Sequence, residues 1–65
     1  MKLVVNGQEQ EVRAATLEAL LADLELAGAV VATARNGEFI RSRERATTQL
    51  KEGDTIEIVS PRQGG

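Results

Sequence analysis

The dipeptide Asn-Gly stands twice in this chain, at Asn6-Gly7 and at Asn36-Gly37, each time after a short β-prone run. Asn followed by Gly is the pair best able to hold positive φ at both central positions of a type I′ turn, whose twist matches the strands it joins. Each pair therefore predicts a β-hairpin. In the first, Met1 to Val5 forms a strand with Met1, Leu3 and Val5 on one face, and Gln8 to Arg13 returns antiparallel. The polar content of the return strand suits a sheet edge, where charged side chains protect unpaired backbone. In the second, Val30 to Arg35 runs up to the turn and Glu38-Phe39-Ile40 pairs back on it.

Between the hairpins, Leu17, Leu20, Leu21 and Leu24 fall at i, i+3, i+4 and i+7, the spacing of one helical face. Thr16 precedes them as an N-cap, and Glu18 lies in the first turn, where the helix dipole favours an anion. The helix is expected from about Leu17 to Leu24 or Leu26, with Gly28 placed to end it. Two turns are too few for a coiled-coil seam, so the stripe is read as core. Arg41 to Gln49 has no clean period, and its arginines are offset by Glu44 and the acidic chain around it. It reads as a solvated loop rather than an anion-binding patch. Lys51-Glu52-Gly53-Asp54 is a turn, and Thr55 to Ser60 is the clearest strand, with Ile56 and Ile58 opposite Thr55, Glu57 and Val59. Pro61 has no N–H to give a ladder and should stop that strand.

The order is hairpin, helix, hairpin, strand. One helix covers one face of one sheet, which gives a two-layer α+β sandwich. The two most apolar strands, the first and the last, belong side by side and parallel in the middle, with the polar strands outside. That arrangement is the β-grasp: a mixed four- or five-stranded sheet with one main helix, over residues 1–60, followed by a C-terminal tail over 61–65. Val4, Thr55, Glu57 and Val59 then share the face that the helix leaves open. Apolar side chains on an uncovered face mark a partner-docking surface, and its acidic members favour a basic partner.

Composition removes most chemistries. The chain has 65 residues and neither Cys nor His, so it lacks a disulfide, a thiolate nucleophile, an imidazole base and any metal cage built from these. Its carboxylates lie in turns and on polar faces, and a domain this small has little room for a ligand-sized pocket. Catalysis of its own is not expected. A net charge of -2 and a single aromatic, Phe39, speak against nucleic-acid binding. The longest apolar stretch, Ala27 to Ala32, is interrupted by Gly28 and far too short to cross a bilayer. Nothing at the N-terminus reads as a signal peptide, so the expected compartment is the cytoplasm.

The tail Pro61-Arg62-Gln63-Gly64-Gly65 carries the chemical interest. Two glycines ending a chain arise by chance in about 0.5% of sequences at average usage, which makes a chemical reading worth pursuing. Five extended residues reach about 17 Å, enough to enter a partner's buried site. Residues without a Cβ let the backbone pass a narrow channel, while Pro61 stiffens the root. A terminal carboxylate, with a reference pKa of about 3.5, is ionised at neutral pH and unreactive until a partner activates it. Such a tail suits a carrier.

The same residues carry a family resemblance over the whole chain. Val4-Val5-Asn6-Gly7, Thr16-Leu17-x-x-Leu20-Leu21, Ala34-Arg35-Asn36-Gly37-Glu38-Phe39-Ile40, Leu50-Lys51-x-Gly53-Asp54-x-Ile56-Glu57-Ile58-Val59 and Gly64-Gly65 follow one another in order. In this the chain resembles the sulfur carriers of thiamine biosynthesis, within the β-grasp family of ubiquitin-like carriers. It departs from their pattern in having Arg41-Ser42 where Pro-Arg is frequent, and no aromatic residue in the loop that follows. The resemblance implies that Gly65 is adenylated by an ATP-using, ubiquitin-activating-like adenylyltransferase and then bears a thiocarboxylate. It implies a sulfur donor such as a cysteine desulfurase, and a thiazole synthase as recipient. Gly64 would let the tip enter both partners, and Pro61, Arg62, Gln63, Val4, Glu57 and Val59 would contact them. No cofactor is expected on the chain itself, since ATP is used by the activating partner. Three further readings stay open: a molybdopterin-synthase small-subunit-like carrier, a ubiquitin-like protein modifier, and a small interaction module.

Overall fold

The computed structural model describes residues 1–60. Strands β1 (Lys2–Val5) and β2 (Gln8–Glu11) precede helix α1 (Leu17–Asp23). Strands β3 (Ala32–Arg35) and β4 (Glu38–Ile40), a 3₁₀ helix over Ser42–Thr47 and strand β5 (Thr55–Val59) follow. The strands form one five-stranded sheet in the order β2-β1-β5-β3-β4. The β1–β5 pair is parallel, with Val4 beside Thr55 and Val5 beside Ile56. All other pairs are antiparallel. This is the β-grasp arrangement, with the polar β2 at one edge, the more apolar β4 at the other and β5 in the centre.

Both hairpins form as their turn chemistry requires. Asn6 and Gly7 have φ of 50° and 84°, and Asn36 and Gly37 have 52° and 84°. Thr16 caps α1 by accepting the Ala19 N–H on its Oγ1 at 3.2 Å. Leu17, Leu20 and Leu21 are buried, and Leu24 packs half-buried at the margin. Leu17 and Leu20, with Leu24 against them, meet Leu3, Val5 and Ile56 from the inner face of the sheet, with Val12 and Leu50 completing the cluster. The core is thus the leucine stripe laid across the two central strands. The start of α1 is pinned from outside, because the Leu17 N–H donates to the Thr48 carbonyl and the Leu50 N–H to the Ala15 carbonyl.

The structure corrects five local expectations. Helix α1 ends at Asp23, well before Gly28, and the stop is made by Glu25 at φ 63°. The Glu25 N–H donates to the Ala22 carbonyl and the Leu26 N–H to the Leu21 carbonyl, which is the Schellman pattern with Glu25 in the position glycine usually takes. Gly28, at φ 82°, instead serves a separate turn closed from Ala29 to Leu26. The third strand begins at Ala32, leaving Val30 outside it and 74% exposed. The second strand ends at Glu11 rather than Arg13, and the last at Val59 rather than Ser60. Finally, the expected loop from Arg41 contains the 3₁₀ helix. Its order comes from Glu44, whose Oε1 accepts the Arg41 N–H, and from Arg45, whose guanidinium donates to Thr33 Oγ1 at 3.1 Å and to the Val31 carbonyl at 2.7 Å. Two of the three arginines stay in solvent, and the third is a strut.

Candidate functional site

Strand β5 is held on both flanks, and the devices that hold it lie in the two Asn-Gly turns. At its start, Asn36 Oδ1 accepts the Thr55 N–H at 2.9 Å while Asn36 Nδ2 donates to Asp54 Oδ1 at 3.0 Å. Asp54 Oδ2 also accepts from Arg35 Nε at 3.0 Å and from the Lys51 N–H at 2.8 Å. Burial of Asp54 by itself raises its carboxyl pKa. The hydrogen bonds from Asn36, Lys51 and Arg35, with the Arg35 charge, outweigh that and hold it below the ordinary value. At the end of β5, Asn6 Oδ1 accepts the Ile58 N–H at 2.8 Å and Asn6 Nδ2 donates to the Ile58 carbonyl at 3.1 Å. The strand is therefore hydrogen-bonded by a turn asparagine near each of its ends.

The face opposite α1 is open. Alternation from the buried Ile56 puts Thr55, Glu57 and Val59 there, and the parallel register adds half-buried Val4 beside Thr55. Val4, Glu57 and Val59 are thus brought together as expected, with Val59 56% exposed. The antiparallel register extends this patch further than the sequence reading did. Ala32 lies beside Val59, Ala34 beside Glu57, and Phe39 beside Ala34. Phe39, 65% exposed, is the patch's largest apolar side chain. It could have been found by counting back from the second turn, since a two-residue loop pairs Arg35 with Glu38 and hence Ala34 with Phe39. Glu9, beside Val4, and Glu57 give the face an acidic border. The remaining residues singled out in the sequence, Pro61, Arg62, Gln63, Gly64 and Gly65, lie outside the described residues.

Other chemistry is thin. Among the described residues no group of three or more Asp or Glu side chains is placed to hold a metal ion. Grooves flank α1, one of them lined by Leu21, Leu26, Glu18, Ser42 and Arg45, but they are open and shallow. No helix of the described residues is long and apolar enough to cross a membrane. The arrangement can present a strand end and an apolar, acid-bordered face.

A mixed sheet with parallel first and last strands, one helix across one face and the opposite face bare defines a ubiquitin-like β-grasp module. More particularly, the chain belongs to the ThiS family, whose model matches residues 3–65. A crystal structure of the thiamine biosynthesis protein ThiS from Geobacter metallireducens superposes with a TM-score of 0.83 at 33% identity, covering all of both chains. The solution structure of a thiamine biosynthesis protein from the same organism gives 0.80 at 33% identity, covering all of this chain and 88% of that one. A thiazole synthase of Paramagnetospirillum magneticum is 41% identical over 66 residues, an alignment that takes in all of this chain. The chain spans 20% of the length of that curated relative.

Proposed function

We propose that this protein is a sulfur carrier for thiamine biosynthesis, working through the carboxylate of Gly65. The observation that carries the reading is the placement of β5 in a ThiS-family chain. The central strand, paired on both flanks, is followed in sequence by the segment that ends in Gly64-Gly65. The chain supplies the scaffold, the docking face and the acceptor carboxylate, and partner enzymes supply the catalysis. In the first step a carboxylate oxygen of Gly65 attacks the α-phosphorus of ATP on an activating enzyme and pyrophosphate leaves. In the second, sulfur delivered at the oxidation level of sulfide attacks the acyl carbon and AMP leaves, giving the thiocarboxylate. The likeness to a segment of a thiazole synthase supports a thiazole synthase as the recipient of that sulfur. Val4, Glu57, Val59 and Phe39 form the docking face, and Pro61, Arg62 and Gln63 span the distance into the partner.

Incubating the protein with ATP and its activating enzyme, and following pyrophosphate exchange and intact mass, tests this. Exchange is expected, and on sulfur loading the mass rises by the difference between sulfur and oxygen. Deleting Gly65 is expected to abolish exchange while changing stability by less than about 0.5 kcal/mol, because a glycine has no side chain to add to the core. Undiminished exchange by the shortened chain would falsify the mechanism. Attachment of the protein to lysines of other proteins would favour a modifier instead.

A further inference from the structure

We infer that Asn6 is a positioning residue for the carrier tail, acting through the rung its side chain makes with Ile58; this inference rests on the carrier reading above. The backbone of β1 supports β5 only as far as the Asn6 N–H, which donates to the Ile56 carbonyl at 2.9 Å. At Gly7, φ 84°, the chain turns away toward β2. Beyond that point the β1 flank of β5 would be bare while the β3 flank continues, with Thr33 beside Ile58 and Ala32 beside Val59. The Asn6 side chain fills the gap. Its carboxamide offers one acceptor and one donor and meets both the N–H and the carbonyl of Ile58, as a further strand residue would. The hydrogen-bonded width of the sheet is thereby carried two residues along β5, to within three positions of Pro61. Asn also tolerates the left-handed φ of 50° required at this turn position, so one residue serves the hairpin and the strand end together.

The consequence for function is geometric. A tail of five extended residues reaches about 17 Å, so an error of about 15° in its launch direction moves the tip by roughly 4 Å. Misplacing a reacting atom by about 1 Å already costs roughly 100-fold in rate. Docking through Val4, Glu57 and Phe39 needs none of this. The two contributions therefore separate kinetically, with the face setting KM and the rung setting kcat.

The test pairs Asn6→Gly with pyrophosphate exchange on the activating enzyme, run well below the melting temperature of both proteins. Glycine keeps the turn's backbone conformation and removes the carboxamide. The expected result is at least a tenfold faster hydrogen exchange of the Ile58 amide and at least a fivefold lower kcat, with KM within twofold of the parent. Asn6→Asp keeps the acceptor for the Ile58 N–H and loses the donor to its carbonyl, so its kcat is expected to fall by less than that of Asn6→Gly but by more than twofold. It decides the matter if the glycine variant is unfolded. An unchanged Ile58 exchange rate, or a faster one with kcat within twofold of the parent, overturns the inference. Absence of pyrophosphate exchange by the parent protein overturns the carrier reading instead, and Ile58 protection still decides whether the rung exists.

Discussion

Glu25 is the residue whose conformation fits its identity least. A side chain in the left-handed region pays about 1 kcal/mol that glycine does not, set against the greater chain entropy glycine loses on folding. With its position otherwise exposed, Glu25→Gly is expected to stabilise the protein by about 0.5 kcal/mol, visible as a rise of roughly 3 °C in the melting midpoint. A fall would mean that Glu25 holds the turn through contacts other than its backbone. Asp54 works in the opposite sense. Its folded pKa lies below the unfolded one, so its contribution to stability is present above about pH 4, the unfolded value, and is lost as pH falls through the folded pKa. Asp54→Asn, which retains the size but weakens charge-assisted bonds to Arg35, Asn36 and Lys51, is expected to cost about 2 kcal/mol at pH 7. Urea midpoints of parent and variant should converge as the pH falls below about 4, the unfolded value, and through the lowered folded one. A constant gap over that range would show that geometry, not ionisation, carries the effect.

At the scale of elements, helix α1 and the 3₁₀ helix show two ways of specifying local structure. Helix α1 is written in its own residues: a capping Thr16, an acidic first turn and a leucine face. The 3₁₀ helix is written largely elsewhere, because Arg45 reaches partners on β3 and on the segment before it. Thr33 is 1% exposed, and its hydroxyl both accepts from Arg45 and donates to the Ile40 carbonyl at 2.9 Å. Arg45→Ala would leave the Val31 carbonyl without its charged donor and is expected to cost about 2 kcal/mol by urea denaturation. Arg43→Ala, in solvent, is expected to stay within about 0.5 kcal/mol. Equal effects from the two would return this segment to the status of a solvated loop.

For the whole molecule, the deciding feature is that five strands share one helix. The inner face is filled, and the outer face keeps Val59 and Phe39 largely in solvent, with Ala32 and Ala34 on the strand between them and Val4 on the other flank of β5. Val59→Lys or Phe39→Lys is expected to weaken binding to the activating enzyme at least tenfold, about 1.4 kcal/mol, by isothermal calorimetry. Asp23→Lys, on the helix side, changes the net charge by two units, twice as much as either docking substitution, and is expected to leave the affinity within about threefold. Comparable losses from all three would mean that net charge, not this face, governs the encounter.

Local chemistry determined much of this protein before any tertiary contact was known. Asn-Gly needs only its own φ angles to make a hairpin, Thr16 only the amide three residues on, and the leucine stripe only the period of a helix. The order of hairpin, helix, hairpin and strand then left the β-grasp as the economical way to bury Leu3, Val5, Leu20 and Ile56 together. What the tertiary structure alone decided are the features whose partners are distant in sequence. Arg45 looks like any surface arginine until β3 supplies a hydroxyl and a carbonyl. Phe39 joins the Val59 patch only because β3 lies between β4 and β5. Asn6, sufficient as a turn residue, gains its second task from Ile58, 52 positions away. A pattern along the chain reports what each residue can do with its neighbours, whereas these three act through groups that only the sheet order brings within hydrogen-bonding distance or onto a common face.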